Sequence, residues 1–312
     1  MSAAPQLVPL PALKNILYAT DLATDSQAAI PHVRAIASKF GSAVHVLHVL
    51  SPEPMLEIPL DIPPELDSDR RIALSKLKKL IATKPFGEAE TTITVERGHM
   101  WDVLKSVVER HAIDLIVVGT HGRRGLSKLF VGSIAERIFR ASPCPVLTVG
   151  PHCVEEPAQG VMLQTIVFAT DFSANAQHAV EYALSFAQAN HARLIFVHAV
   201  ARALQVVPSG AEIAGETMQI YDEIEAEELV RSQEAMANLM RSVTAQGWQA
   251  EAVIELGTAA EVILSAAQKK RADLIVMGAH HNIGSATASH IPWATASLVA
   301  CGAPCPVLTV RS

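Results

Sequence analysis

The sequence predicts an α/β protein of two tandem, doubly wound (Rossmann-like) domains, each with a five-stranded, mostly parallel sheet. Three observations support this fold class. Short apolar, β-branched runs alternate with segments of helical periodicity, this pattern occurs twice, and 312 residues suit two domains of ordinary size. Strands of a parallel sheet are covered on both faces, which explains why the apolar runs are continuous.

Five strands are expected in the first copy, joined by right-handed helical crossovers. They span Asn15–Thr20, Ala43–Val49, Thr91–Val95, Leu115–Val118 and Val146–Val149. Apolar residues three or four apart predict helices between these strands, the first after a cap region at Thr24–Ser26. Their stripes are Ala29, Val33, Ile36, Ala37 and Phe40; Ile72, Leu74, Leu77, Leu80 and Ile81; and Val103, Leu104, Val107 and Val108.

The second copy is evident from three recurring segments. Ile16–Asp21 recurs as Ile166–Asp171, Asp114–Gly119 as Asp273–Gly278, and Cys144–Val149 as Cys305–Val310. The offset grows from 150 residues (21 to 171) to 161 residues (149 to 310), so the second copy contains insertions. We expect one domain at 12–150, a linker at 151–161 and a second domain at 162–312.

Composition excludes several classes of protein. Half of the residues are hydrophobic and 18% are charged, which argues against global disorder. A net charge of −6 argues against nucleic acid as a partner. Met1–Pro11 lacks the features of a secretory signal, and no apolar stretch reaches the ~20 residues that span a bilayer. We therefore expect a soluble cytoplasmic protein without a membrane partner.

The four cysteines lack paired Cys-x-x-Cys spacing, which argues against a metal or redox role. Cys144 and Cys305 both precede Pro-Val-Leu-Thr-Val. At the start of an apolar strand, a cysteine is typically a small buried thiol. We expect both residues to be structural.

A glycine-rich, basic segment, Gly119–Ser133, follows the fourth strand and precedes a helical pattern. Glycines permit close backbone approach, exposed N–H groups bind anionic oxygens, and a helix offers its positive end. The spacing matches neither the Walker loop nor the dinucleotide fingerprint. The segment therefore predicts a phosphate site, formed by Gly119, Gly122, Gly132 and Ser133. Within it, His121 and Arg123 either contact the ligand or face solvent.

The end of the first strand is expected to share a crevice with this loop, because ligands bind beyond the carboxyl ends of strands where the winding reverses. Thr20 and Asp21 lie at that end. A carboxylate repels phosphate and accepts hydrogen bonds, so Asp21 should face a ribose or a base. An Asx turn is the alternative role for Asp21. His48, in an apolar strand, is expected to be a hydrogen-bonded core residue.

The loop spacing, Gly-two residues-Gly-nine residues-Gly-Ser, resembles that of ATP-binding members of the universal stress protein family. The resemblance covers nearly the whole chain twice. It implies that ATP is the ligand, that Asp21 contacts the nucleoside, that the backbone of Val49 contacts adenine, and that the glycine loop wraps the phosphates. Mg²⁺ is expected only together with the nucleotide.

The second copy departs from this pattern where phosphate would bind. His281 replaces the second glycine, and Ile291-Pro292 replaces Gly-Ser. Proline removes an N–H donor, and a β-branched residue disfavours positive φ, so the same phosphate binding should be lost. His280, His281 and His290 lack cysteine or acidic neighbours at zinc-like spacing, so no metal site is predicted.

These features favour an ATP-binding, nucleotide-responsive stress or signalling module with little or no turnover. No catalytic residue is assigned, because Gly119–Ser133 contains no carboxylate to activate water. The alternatives are a slow ATPase or nucleotidyl-transfer enzyme, and an interaction module without nucleotide. The resemblance also implies a homodimer or an intrachain pseudo-dimer through Pro145–Val149 and Pro306–Val310, with a protein partner that remains unidentified.

Overall fold

The computed structural model describes residues 13–23, 25–51, 67–119, 138, 142–153, 162–202, 215–245, 247–279 and 292–311. These residues form two compact units, one within residues 12–161 and one within residues 162–312. In each unit, helices alternate with the strands of a parallel sheet. The predicted fold class is confirmed.

The first unit contains strands β1 to β5 in the spatial order β3-β2-β1-β4-β5, with each neighbouring pair parallel. The strands are β1 Asn15–Ala19, β2 Ala43–Leu50, β3 Thr91–Arg97, β4 Leu115–Gly119 and β5 Val146–Val149. The described helices are α1 Ile30–Phe40, α2 Ser68–Ala82 and α3 Met100–Arg110. The winding reverses between β1 and β4, so the carboxyl ends of these strands border a crevice.

The second unit repeats this order as β10-β9-β6-β7-β8, again with parallel pairs. Its strands are β6 Thr165–Ala169, β7 Arg193–Val200, β8 Ala250–Leu256, β9 Leu274–Gly278 and β10 Val307–Val310. Its described helices are α4 Ala174–Asn190, α5 Gly215–Ala245, α6 Ala259–Lys270 and α7 Pro292–Gly302. The equivalent reversal lies between β6 and β9.

The central strands form the core of each unit. Ile16, Leu17 and Ile116 are fully buried in the first unit, as are Ile166 and Val167 in the second. Burial of one such aliphatic side chain contributes about 1.5–3 kcal/mol. Because both faces of these strands are covered, the carboxyl ends of the strands and the turns that follow them are the parts of the sheet left to meet a ligand.

The beginning of α1 differs from the sequence prediction. Asp25–Ala29 form a 3₁₀ helix, and α1 begins at Ile30 without a side-chain cap. Pro31 lies in its first turn, where the missing N–H costs nothing. In the second unit, Ser173 does cap α4 by accepting a hydrogen bond from Ala176 N. The predicted cap is not found at the start of α1, and Thr24 of the predicted cap region lies outside the described residues.

All four cysteines are free thiols. Cys305 is buried and Cys144 is half-buried at the starts of their strands. Burial raises the pKa of the Cys144 thiol to about 11, and the pKa of Cys153 to about 11. A thiol with such a pKa stays protonated at neutral pH and is a poor nucleophile.

Among the helices in the described ranges, none is both long enough and apolar enough to cross a membrane.

A buried histidine makes the stability of the first unit depend on pH. His32 lies in the first turn of α1, and burial lowers its pKa from 6.5 to about 4. The unfolded chain binds the proton more readily, so the free energy of unfolding should fall as the pH falls from 6.5 towards 4. From pH 7 to pH 5 the expected loss is about 2 kcal/mol. Urea unfolding of the full chain at both pH values measures it.

His32→Leu is the matched control, because it removes the titrating group and keeps an apolar side chain at the site. This variant should lose less stability than the parent between pH 7 and pH 5. Equal losses in the two proteins would show that burial of His32 is not the cause.

Candidate functional site

A cavity of about 500 Å³ lies at the carboxyl ends of β1, β2 and β4, in the crevice where the winding reverses. Helix α2 forms one side of it. The lining includes Asp21, His48, Asp69, Ala73, Lys76 and Gly119. Two of these, Asp21 and Gly119, are site residues predicted from the sequence. The other predicted residues of the glycine-rich loop lie outside the described residues, namely His121, Gly122, Arg123, Gly132 and Ser133.

Asp21 forms the Asx turn that the sequence left open as an alternative. Its Oδ1 accepts a hydrogen bond from Ala23 N at 2.9 Å, and Leu22 between them has a left-handed φ of 63°. The turn directs the chain away from the sheet directly after β1. Asp21 is nevertheless exposed and lines the cavity, and its Oδ2 takes no part in the turn bond. The structural role therefore leaves one carboxylate oxygen for a ligand.

The hydroxyl of Thr20 is used within the protein. Ser26 Oγ donates to Ala23 O at 2.8 Å and so accepts from Thr20 Oγ1, also at 2.8 Å. Thr20 Oγ1 in turn accepts from Leu22 N at 3.0 Å. Because a hydroxyl has one hydrogen, this chain fixes every donor in it. Thr20 therefore shapes the turn through its side chain, and its backbone carbonyl faces β2.

His48 donates a hydrogen bond to that carbonyl. Its Nδ1 lies 2.8 Å from Thr20 O. A carbonyl oxygen only accepts hydrogen bonds, so Nδ1 carries a hydrogen, and Nε2 of the neutral ring is an acceptor. The side chain is half-buried and lines the cavity. The sequence prediction of a hydrogen-bonded histidine is confirmed, and its placement in the core is wrong. A signal was available, because His198 occupies the same strand position in the second copy.

The backbone of Val49 lies on the crevice side of β2. Leu47 O accepts from Thr20 N at 3.0 Å, whereas Leu50 O accepts from Gly98 N on the β3 side. Backbone polar groups alternate between the two edges of a strand, so those of Val49 point in the same direction as those of Leu47. Strand β1 ends at Ala19, opposite Leu47. The N–H and C=O of Val49 therefore lie beyond the end of β1, beside the turn.

Gly119 has a steric reason to be glycine. A Cβ at this position would lie 3.0 Å from Ser26 O and 3.1 Å from Ser26 Cα. Gly278 is equally constrained, since its Cβ would lie 3.1 Å from Ala176 N at the start of α4. The second copy keeps this glycine while losing the rest of the motif. Packing therefore explains the glycine that ends β4 in the first unit and β9 in the second.

An ion pair fixes the beginning of α2 beside the cavity. Asp67 caps the helix by accepting from Arg70 N at 3.0 Å, and its carboxylate lies 3.0 Å from the guanidinium of Arg97 on β3. The hydrogen bond from Arg97 lowers the pKa of Asp67. The same guanidinium lies 3.5 Å from Asp69. The helix start is thereby tied to the sheet, which places Asp69, Ala73 and Lys76 along the cavity.

The second unit contains the same turn, with different side chains beside its histidine. Asp171 Oδ1 accepts from Ser173 N at 3.0 Å, and His198 Nδ1 lies 2.8 Å from Thr170 O. Here, however, Ser232 Oγ of α5 lies 3.1 Å from His198 Nε2, and the Phe172 ring packs on the imidazole with centroids 4.4 Å apart. Two side chains of the protein thus contact His198, whose counterpart in the first unit, His48, lines the cavity.

The two residues that contact His198 correspond to small or flexible residues in the first unit. Ser232 lies 159 residues after Ala73, the same offset that separates the starts of β3 at 91 and β8 at 250. Phe172 lies 150 residues after Leu22, the offset of the first repeated segment. The sequence analysis missed both differences, because neither lies in the glycine-rich loop.

Comparison with known proteins agrees with the repeat. The model of the family described as "Universal stress protein family" matches residues 12–150 and again residues 162–311. The chain belongs to the universal stress protein family. Universal stress protein A homolog 1 of Coxiella burnetii is 35% identical over 143 residues, which are 44% of this chain and 95% of that protein. Universal stress protein MJ0531 of Methanocaldococcus jannaschii is 32% identical over 141 residues, 44% of this chain and 81% of that protein.

Solved structures share the fold over both units. A universal stress protein from Archaeoglobus fulgidus superposes with a TM-score of 0.68 at 18% identity, covering 95% of this chain and 98% of that one. The functionally unknown protein PA1789 from Pseudomonas aeruginosa gives a TM-score of 0.64, also at 18% identity, over 96% and 93% of the two chains. At this identity the likeness concerns the fold alone.

The packing at Gly119 can be tested separately from ligand binding. Gly119→Ala should lower the free energy of unfolding by about 1–3 kcal/mol, because its Cβ forces the Ser26 backbone away from β4. Gly278→Ala should do the same in the second unit. Thermal unfolding without nucleotide measures both effects. If Gly119→Ala unfolds like the parent, the steric argument fails and the glycine has another purpose.

Proposed function

We propose that the first domain binds ATP in the crevice beyond β1, β2 and β4, and that the protein is a nucleotide-responsive stress or signalling module with little or no turnover. The observation that carries this proposal is the cavity of about 500 Å³ at the reversal of winding. Its volume falls in the range of ~300–1,000 Å³ typical of small-molecule sites. The glycine-rich loop begins at its edge, at Gly119.

The chemistry of the lining suits the two ends of a nucleotide. Asp21 and His48 offer hydrogen-bond acceptors beside the backbone of Val49, which suits the hydroxyl and amino donors of a nucleoside. The loop that starts at Gly119 supplies backbone N–H groups and Arg123 for the phosphates. Lys76 of α2 adds a cation to the same cavity. We therefore assign the nucleoside to the β1–β2 side and the phosphates to the β4 side.

The second domain should not bind ATP in this manner. Ser232 and Phe172 surround the histidine that corresponds to His48. In addition, α7 begins at Pro292, so one backbone N–H is missing at the helix start where phosphate would be held. One functional site per chain is the expected result.

ATP should therefore bind with a stoichiometry near one per chain. At a free concentration of ~100 times the Kd, linkage stabilises the binding domain by about 2.7 kcal/mol. Isothermal titration calorimetry gives the stoichiometry. Native mass spectrometry shows co-purifying nucleotide and whether the chain forms a homodimer or stays a single chain with an intrachain pseudo-dimer. Two equivalent sites, or no binding of any adenine nucleotide, would contradict the proposal.

Gly132→Val tests the phosphate loop directly. It adds a β-branched side chain where the chain must approach phosphate, so ATP binding should be lost while the far-ultraviolet circular dichroism stays unchanged. Ile291→Val, at the corresponding position of the second loop, is the matched control and should bind ATP like the parent. Normal titration of the Gly132 variant would mean that the phosphates lie elsewhere.

Hydrolysis should be slow or absent, well below about 1 s⁻¹, the lower end of typical turnover. The glycine-rich loop has no carboxylate. Among the described lining residues, the free oxygen of Asp21 is assigned to the nucleoside end, and Asp69 lies 3.5 Å from Arg97. The alternative, a slow ATPase, would depend on His121 as base. Measuring phosphate release by the parent and by His121→Ala distinguishes the ATPase from the binding module. Ordinary turnover that collapses in the variant, with ATP affinity unchanged, would establish the enzyme.

A further inference from the structure

The crevices of the two domains differ in the groups that lie next to one atom, Nε2 of the histidine on the second strand. We propose that His48 Nε2 accepts a hydrogen bond from an N–H or O–H donor of the bound nucleoside, and that Ser232 takes the place of this donor in the second domain. The inference rests on the proposed function, and it adds a specificity-determining residue to that site.

The two histidines are held in the same way. His48 Nδ1 lies 2.8 Å from Thr20 O, and His198 Nδ1 lies 2.8 Å from Thr170 O. In both rings, the bond to a carbonyl fixes the hydrogen on Nδ1 and leaves Nε2 of the neutral imidazole as an acceptor. The equal geometry means that the two Nε2 atoms present the same chemistry at the same place in each fold.

The second domain shows which partner this acceptor takes. Ser232 is 3% exposed, and its Oγ lies 3.1 Å from His198 Nε2. Since Nε2 is the acceptor, the serine hydroxyl is the donor. Phe172 packs against the same ring with centroids 4.4 Å apart. The acceptor of the second domain is thus satisfied within the chain and shielded by an aromatic side chain.

In the first domain, the corresponding helix position cannot make this bond. Ala73 occupies it and offers only a methyl group, and both Ala73 and His48 line the cavity. No group in the described part of the chain is hydrogen bonded to His48 Nε2. A bound ligand would cover this acceptor and displace its water, so a ligand that brings a donor is favoured over one that leaves the acceptor unpaired.

The nature of the acceptor selects the part of the nucleotide. Phosphate oxygens are acceptors themselves and gain nothing from a neutral imidazole nitrogen. The nucleoside carries the donors, namely the exocyclic amino group of adenine and the ribose hydroxyls. Asp21, at the turn that Thr20 begins, adds a second acceptor to the same lining. Two acceptors in the lining of one cavity therefore suit the nucleoside end of ATP.

His48→Asn is the sharpest test, because an asparagine amide can still donate to Thr20 O while Nε2 is removed. We expect roughly a tenfold loss of ATP affinity in the full-length protein, the effect of one hydrogen bond of ordinary strength. Ala73→Ser should also weaken ATP binding, since its hydroxyl satisfies Nε2 from within as Ser232 does. His198→Asn is the matched control in the second domain and should leave ATP affinity unchanged.

Three analogues identify the donor. Inosine triphosphate lacks the amino group, and the 2′-deoxy and 3′-deoxy forms of ATP each lack one hydroxyl. The penalty of His48→Asn should disappear for the analogue that lacks the donor in question. Calorimetric titration of parent and variants with all four nucleotides gives the comparison, and circular dichroism verifies the fold of each variant.

Different failures have different meanings. Suppose first that the parent binds ATP. If His48→Asn binds each of the four nucleotides as tightly as the parent does, or loses affinity by the same factor for every one, His48 accepts from none of the tested donors. This inference is then overturned while the proposed function stands. If the parent binds no nucleotide, both are overturned. Unchanged ATP affinity in Ala73→Ser would likewise contradict the assigned role of Nε2.

Discussion

The candidate site depends on a hydrogen bond from an imidazole on the second strand to the first backbone carbonyl beyond the end of β1. The His48 bond to Thr20 O joins two strands at the level where their backbone ladder stops. It fixes the carbonyl from which the chain turns, the tautomer of the ring and the position of Nε2. The Asx turn at Asp21 and the hydroxyl chain through Ser26 extend this arrangement to the contact with Gly119. The same bond recurs at His198 in the second unit.

Much of the fold was predictable, because parallel strands covered on both faces need continuous apolar runs. β5 and the starts of β1 to β4 agree with the apolar pattern. The beginning of α1 was not predictable in the same way, because the polar residues before it take part in turn bonds instead of a cap. A cap and a turn use the same residue types, and the choice depends on contacts to a neighbouring strand.

The site was predictable only in part, for a related reason. Asp21 and Gly119 stood out because they belong to local patterns, a strand end and a glycine-rich loop. His48, Ala73 and Ser232 did not, since each acts through a partner far along the chain: Ser232 and His198 are separated by 34 positions. Gly119 carries a further lesson. A glycine in a binding motif can be required by close packing alone, as its counterpart Gly278 indicates.

The packing around His198 in the second unit makes one acceptor independent of any ligand. There, the His198 acceptor is paired with a serine and covered by a phenylalanine of the same domain. In the first domain the corresponding acceptor has no such partner among the described residues, so a ligand bound there would add stability. The two halves of one chain thus differ in whether the acceptor beside this turn is paired by the protein itself or left to whatever surrounds it.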